Sequence, residues 1–211
     1  YPALAIIYKI KEMEPNSEFL YIGTTNRMEK DLIPSMGYRY EGIEVTGFKR
    51  KLTLDNFKTI TNFINAIKRC KIIIKDFDPD IVIGCGGYVT APVIYAAKKL
   101  GKKTFIHEQN SVVGLANKFL ARYTDKIGVS FESTIKDFPK GKAILTGNPC
   151  SEKALSIKKT TKEKLGITKD KKLVLIVMGS LGSKTINDKI FSFIDKFRSK
   201  NYSVIIVTGN S

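Results

Sequence analysis

Hydrophobic and polar positions follow two rhythms along this chain, and each rhythm predicts a different kind of element. Apolar residues at helical spacing predict a helix opening at Tyr1-Pro2, with proline at its tolerated early position. Further helices are predicted at about 28–36, 55–75, 91–100, 113–121 and 184–197. Short β-type runs fall at 19–23, 38–45, 80–84, 104–107, 126–129, 143–146, 173–177 and 204–207. The runs at 81–83 and 173–177 are continuously apolar rather than alternating, which calls for cover on both faces, as in a parallel sheet flanked by helices. Repeated alternation of this kind predicts an α/β, doubly wound, Rossmann-like domain. A helix with no strand before it is unusual there, and no Met opens the sequence. A longer protein with an upstream strand is therefore expected.

Gly147, Asn148 and Pro149 interrupt regular structure after the run at 143–146. A polar stretch rich in lysine follows (158–162), and then a strand, a glycine-containing turn, a helix and another strand begin afresh. The expected division is a first Rossmann-like domain over 1–147 and a second over 148–211. Two strands are too few for an open doubly wound sheet, so the second domain is expected to be incomplete.

Composition narrows the classes. Of 211 residues, 43% are hydrophobic and 27% charged, which is ordinary for a globular protein. No apolar run approaches the roughly 20 residues needed to cross a bilayer core, so any membrane role is peripheral. Cys70, Cys85 and Cys150 are widely spaced and form no CxxC pair, which argues against a disulfide framework or a zinc site. The only histidine, His107, limits triad chemistry. Lys and Arg number 36 against 20 Asp and Glu, a net charge of +16. The charge is clustered: residues 49–75 hold Lys49, Arg50, Lys51, Lys58, Lys68, Arg69, Lys71 and Lys75 against Asp55 alone.

Four segments could carry chemistry. Gly84, Cys85, Gly86, Gly87 and Tyr88 lie between a strand and a helix. Backbone N–H groups and a helix N-terminus can meet an anion there, although a plain tight turn is the alternative. Gly179, Ser180, Leu181 and Gly182 share that context, and their lack of a P-loop lysine argues against ATP hydrolysis. His107, Glu108, Gln109 and Asn110 leave a strand end together, and four polar side chains are costly to bury unpaired. They are expected to line a cleft, with a structural role for His107 as the alternative. In 55–75, a helical wheel sets Phe57, Ile60, Phe63, Ile64, Ile67 and Ile74 on one face. That face suits either core packing with a solvated basic side or contact with an anionic membrane surface. No nucleic-acid-binding motif is present.

Together, YPALAI at 1–6, GTTNRMEKDLIP at 23–34, GGYVTAP at 86–92, HEQNSVVGLANK at 107–118, TGNP at 146–149 and GSLGSKTIN at 179–187 resemble the MurG family of bacterial glycosyltransferases along essentially the whole chain. The resemblance implies a GT-B fold of two Rossmann-like domains with the active site in the cleft between them. It implies inverting transfer of N-acetylglucosamine from UDP-N-acetylglucosamine to lipid I, giving lipid II for peptidoglycan. Such an enzyme needs no cofactor or bound metal and works peripherally on the cytoplasmic side of the cell membrane, with roles in cell shape and division. By the same resemblance Asn110 and Ser180 contact the donor, Gly86, Gly87 and Tyr88 face the acceptor diphosphate, and His107 is a possible catalytic residue. The membrane patch is expected at Lys49, Arg50, Lys51, Phe57, Lys58 and Phe63.

Departures from the family pattern accompany the matches. The family's GGTGGH loop before YPALA is not in this chain, Ser151 replaces a usual arginine, and the uracil-binding half is expected beyond Ser211. This 211-residue piece is accordingly expected to be inactive. The alternatives are another GT-B enzyme, such as a UDP-sugar 2-epimerase or lipid-linked glycosyltransferase, and a non-catalytic basic membrane-binding module.

Overall fold

The computed structural model describes residues 1–45, 55–178 and 182–209, without the side chains of 55–58. The chain forms two compact units, Tyr1–Ser156 and Ile157–Ser211.

The first unit begins with α1 (Pro2–Met13), β1 (Leu20–Thr24), α2 (Glu29–Ser35), β2 (Arg39–Ile43) and α3 (Asp55–Phe77). It continues with β3 (Ile81–Gly84), α4 (Thr90–Lys99), β4 (Lys103–Glu108), α5 (Leu115–Leu120), β5 (Lys126–Val129), β6 (Ala143–Leu145) and α6 (Cys150–Ser156). β1 pairs with β2, and β3, β4, β5 and β6 pair in that order; every pairing is parallel. Parallel neighbours require crossovers, and the helices between the strands provide them. This is the expected α/β architecture.

α4 organises the core by facing two ways. Val93, Ala96 and Ala97 join Ile43, Ala66, Cys70, Ile73 and Ile74 in one cluster. Ile94 joins Ile106, Val113, Leu120, Ala121, Ile127, Val129 and Phe138 in the other. Ile94, Ile106 and Ile127 are wholly inaccessible, and each such side chain contributes about 1.5–3 kcal/mol of burial.

The predicted apolar face of α3 divides in the structure. Ala66, Cys70, Ile73 and Ile74 are buried, whereas Ile60 and Ile64 are 45% and 47% exposed. The small side chains Ala66 and Cys70 pack in one cluster with Ala96 and Ala97, and small residues let helices approach closely. Ile67 and Ile74 of the predicted face do pack in the cluster that α4 joins, but the wheel followed the bulkiest residues and so left out Ala66 and Cys70 beside them.

The sequence pattern predicts no helix between the Gly147-Asn148-Pro149 break and the polar stretch at 158–162, where α6 lies. Asn148 Oδ1 accepts the Cys150 amide N–H at 3.0 Å, so the Asn-Pro pair works as a helix start as well as a break. On α6, Glu152 accepts from Lys9 Nζ of α1 at 2.9 Å.

One groove of about 840 Å³ runs between β1 and β3. Tyr21, Ile22, Gly23 and Thr24 line one wall, Val82, Ile83 and Gly84 line the other, and Ile6 and Ile10 of α1 also border it. The side of β3 nearest β1 thus opens into the groove, and Ile81 is 47% exposed.

In the second unit, β7 (Lys172–Val177) pairs in parallel with β8 (Tyr202–Val207), with α7 (Lys184–Ser192) between them. α7 ends at Ser192, and a 3₁₀ turn (Ile194–Phe197) replaces the rest of the predicted helix. Among the described residues the expected cover on both faces of β7 is not found: Leu175 and Val177 are 59% and 62% exposed.

Candidate functional site

The strand register brings the candidate loops to one end of the sheet. Gly84 stands beside Ile106, His107 beside Gly128, and Val129 beside Leu145. The segments that follow therefore leave from the carboxyl edge, where open α/β sheets collect ligands.

His107 and Glu108 do not line a cleft as expected; each is 1% exposed. The His107 Nε2 lies 3.0 Å from the Gly147 carbonyl and 3.1 Å from Thr146 Oγ1. Gln109 Nε2 donates to Nδ1 at 3.0 Å, so the partners fix the neutral tautomer with its proton on Nε2. Burial pushes the imidazole below its ordinary pKa, against the opposing pull of the Gly147 carbonyl and the Glu108 charge. With both nitrogens engaged, His107 ties the end of β4 to the 146–147 segment. Gly128 makes this possible, because a Cβ there would lie 2.9 Å from both the His107 ring and Thr146 Oγ1.

Glu108 is the hub of the loop. Its Oε1 accepts the Asn110 amide N–H at 2.9 Å and Asn110 Nδ2 at 2.8 Å. Oε2 accepts the Gly114 N–H and Asn117 Nδ2, both at 2.9 Å. Burial pushes this carboxyl up, but the four donors outweigh it and hold it below the usual carboxylate range. Sequence reasoning singled out Glu108 only as one of four polar neighbours and missed Asn117. The signal available was Asn117 as an amide on the first turns of α5, nine residues after Glu108.

Asn110 is exposed. Its Nδ2 turns inward to Glu108, and its Oδ1 accepts no hydrogen bond from a protein donor among the described residues.

The Gly84–Tyr88 segment turns tightly, with φ of +85° at Gly86 and +79° at Gly87. Side chains are disfavoured in that region, which explains the two glycines. Thr90 Oγ1 donates to the Gly86 carbonyl and fixes the turn onto α4. A Cβ on Gly86 would come 3.9 Å from Gln109 Oε1, so the glycine turn and the polar loop are adjacent. Tyr88 is 54% exposed. Burial pushes the Cys85 thiol up to about 12, which makes it a poor nucleophile at neutral pH.

Ser180 lies outside the described residues, as do Lys49, Arg50 and Lys51; the side chains of Phe57 and Lys58 do too. Phe63 is half-buried and its ring centre is 6.4 Å from that of Phe119 on α5, which in turn meets Tyr95 and Tyr123. Ile60, Ile64, Leu115 and Phe119 are exposed, as are Lys118 on α5 and Arg122 just after it. Among the described residues, no helix is long and apolar enough to cross a membrane, and no three His, Cys, Asp or Glu side chains gather as metal ligands.

Comparison with known proteins gives this arrangement a context. Residues 1–129 match the model of the glycosyltransferase family 28 N-terminal domain. The chain is 47% identical over 210 residues to UDP-N-acetylglucosamine--N-acetylmuramyl-(pentapeptide) pyrophosphoryl-undecaprenol N-acetylglucosamine transferase 1 of Bacillus cereus, covering 99% of this chain and 58% of that protein. It superimposes on MurG of Acinetobacter baumannii with a TM-score of 0.69 at 26% identity, over 100% of this chain and 57% of that one. A UDP-N-acetylglucosamine 2-epimerase described as putative, from Listeria monocytogenes, gives 0.65 at 13% identity, over 97% of this chain and 58% of that one; that likeness concerns the fold alone. The chain thus spans a little over half the length of the curated relatives it matches. With more than half of its residues inside the family model, the chain belongs to glycosyltransferase family 28.

Proposed function

We propose that the protein to which this chain belongs transfers N-acetylglucosamine from UDP-N-acetylglucosamine to lipid I. The acceptor hydroxyl gives its proton to a general base and attacks the anomeric carbon, the bond from that carbon to the diphosphate oxygen breaks, and UDP departs with inversion. The observation that carries this reading is the convergence of two loops at one strand edge. Gln109 lies beside Gly86, and Asn110 directs inward only its Nδ2. The exposed Oδ1 is then available to accept a hydrogen bond from a sugar hydroxyl. Backbone N–H groups of the 86–88 turn, at the start of α4, suit the acceptor diphosphate. The name borne by the Bacillus cereus relative supports the same substrates.

In this reading residues 1–147 belong to the acceptor-side domain and 148–211 to the donor-side domain, with Ser180 as a donor contact. His107 serves as a positioning residue that fixes the segment joining β6 to α6. The exposed Ile60, Ile64, Leu115 and Phe119 with nearby basic groups suit contact with an anionic bilayer. Such contact would hold the enzyme at the cytoplasmic face, where a lipid-linked acceptor is presented, and so serve cell-wall growth, shape and division.

The test is a purified protein of the relatives' full length, given labelled UDP-N-acetylglucosamine with and without lipid I. Label appearing in lipid II only when lipid I is present is expected. Conversion to the 2-epimer without an acceptor would support the epimerase reading instead, and binding to membranes without turnover would support a non-catalytic module.

A further inference from the structure

The two side-chain amides that follow β4 are set the same way round. Asn110 turns its Nδ2 to Glu108. Gln109, half-buried, spends its Nε2 on His107, donating to Nδ1 at 3.0 Å and to the carbonyl at 3.2 Å. On the far side of the ring, Nε2 meets the Gly147 carbonyl at 3.0 Å, and a carbonyl can only accept. The ring proton therefore stays on Nε2, and Nδ1 is an acceptor. A flipped Gln109 amide would set its oxygen against two acceptors, so one orientation alone fits. It leaves Oε1 pointing away from His107, with no hydrogen bond from a protein donor among the described residues. Gln109 leans on His107 and Asn110 on Glu108, which continues the alternation of the strand past its last ladder pair. The two free oxygens thus leave β4 on opposite sides.

Gln109 Oε1 faces the glycine turn, since a Cβ on Gly86 would lie 3.9 Å from it. Both sides of that approach are fixed: the Thr90 hydroxyl holds the turn onto α4, and His107 holds the amide. In lipid I, the acceptor proposed above, the diphosphate is carried on the anomeric carbon of an N-acetylated sugar. The next ring carbon bears the acetamido group. With the diphosphate at the turn, this part of the sugar lies beside it, within reach of a neighbouring acceptor. We propose that Gln109 Oε1 accepts the acetamido N–H of the acceptor sugar, while Asn110 serves the donor sugar on the other side of the strand end. Gln109 is then a substrate-binding residue that selects the acceptor. A fixed oxygen left unpaired penalises any substrate that lacks the donor. The assignment rests on the transferase reading and on the place given there to the acceptor diphosphate.

The experiment uses the full-length protein and two lipid-linked acceptors. One is lipid I, and the other carries an azido group in place of the 2-acetamido group and so offers no N–H. Steady-state kcat/KM for each acceptor is measured in wild type and in Gln109→Met, beside thermal melts. Wild type is expected to use the azido acceptor at least about tenfold less well, the measure of one hydrogen bond. Gln109→Met should lose about tenfold on lipid I but stay within about twofold of wild type on the azido acceptor, because the partner is already gone. The KM for UDP-N-acetylglucosamine should not move. A role exerted only through His107 would cost both acceptors equally, and that result overturns the proposal. Equal use of the two acceptors by wild type overturns it as well, whether or not the variant folds. A loss confined to the donor KM does the same. A full-length wild type that transfers no sugar to lipid I would sink the transferase reading and this assignment with it, whereas transfer without preference between the acceptors would remove this assignment alone.

Discussion

Glu108 and Asn117 face each other inside the first unit, 1% and 2% exposed, with Asn117 Nδ2 donating to Glu108 Oε2 at 2.9 Å. This contact anchors α5 to the end of β4, while the other carboxylate oxygen holds Asn110. One buried charge therefore sets the path of the whole 108–117 loop. A buried carboxylate is tolerated only when donors surround it, and four do so here.

Replacing that carboxylate by its amide tests the hub. In Glu108→Gln one side-chain oxygen becomes an NH₂ group, which must face either the Asn110 donors or the Gly114 and Asn117 donors. We expect a loss of about 1–3 kcal/mol, seen as a drop of roughly 2–4 °C in melting temperature per kcal/mol. Because the folded carboxyl lies below its ordinary pKa of 4.5, the unfolded chain takes up the proton first on acidification. The stabilisation is full above about 4.5 and fades as pH falls through the folded value. The wild-type advantage in thermal melts should therefore be large at pH 7 and shrink towards pH 3. Equal melting temperatures at pH 7 would remove Glu108 from the role of hub.

His107 offers a test free of overlap, since the chain holds one histidine. Burial lowers its pKa from the ordinary 6.5, so the unfolded chain again binds the proton first. The stability tied to the neutral ring is complete above about 6.5 and declines as pH falls from there towards the folded value. The single imidazole signal in an NMR titration should have its midpoint below 6.5. Its ¹⁵N shifts should report the proton on Nε2, as the Gln109 and Gly147 partners require. A midpoint at or above 6.5 would mean that the ring is charged or open to solvent.

Much of this architecture is legible in the sequence. The strand at 126–129 coincides with β5, and the turn at Gly86 and Gly87 is marked by residue type. Direction is harder to read than element type. The wheel for α3 weighed side-chain size, whereas the partner α4 offers Ala96 and Ala97, so Ala66 and Cys70 turn inward and Ile60 stays out. In the 107–110 segment, residue chemistry predicted polar partners but not their source. Asn117 and the 146–147 segment supply them from 10 and 39–40 positions away, distances at which local pattern carries no information.

Asn110→Ala removes the exposed Oδ1 and one donor to Glu108. In the full-length protein we expect transfer to fall by about 10–100-fold, the equivalent of a hydrogen bond worth about 1.5–3 kcal/mol in the transition state. Stability should fall by only about 0.5–1.5 kcal/mol, because the backbone N–H of residue 110 still reaches Glu108. Steady-state assays beside thermal melts separate the two effects. Unchanged transfer would make the polar loop purely structural.

The membrane reading makes the sharpest demand on α3. If Ile60 and Ile64 meet lipid, their 45% and 47% exposure serves binding and not folding. Ile60→Asp with Ile64→Asp should then leave the melting temperature nearly unchanged, since surface changes mostly stay within about 0.5 kcal/mol. The same pair should abolish co-sedimentation with vesicles rich in anionic lipid. Each Lys or Arg near such a surface adds about 1 kcal/mol, and salt screens it. Wild-type binding should therefore weaken strongly at roughly 0.5–1 M salt, since the Debye length is down to about 3 Å at about 1 M. Reversing Lys49, Arg50, Lys51 and Lys58 to Glu should release the protein, while equal reversal among the lysines of 158–172 should matter little. If the isoleucine pair bound vesicles as wild type does, lipid contact would not run through α3. If the 158–172 set proved decisive, the basic patch would belong to the second unit.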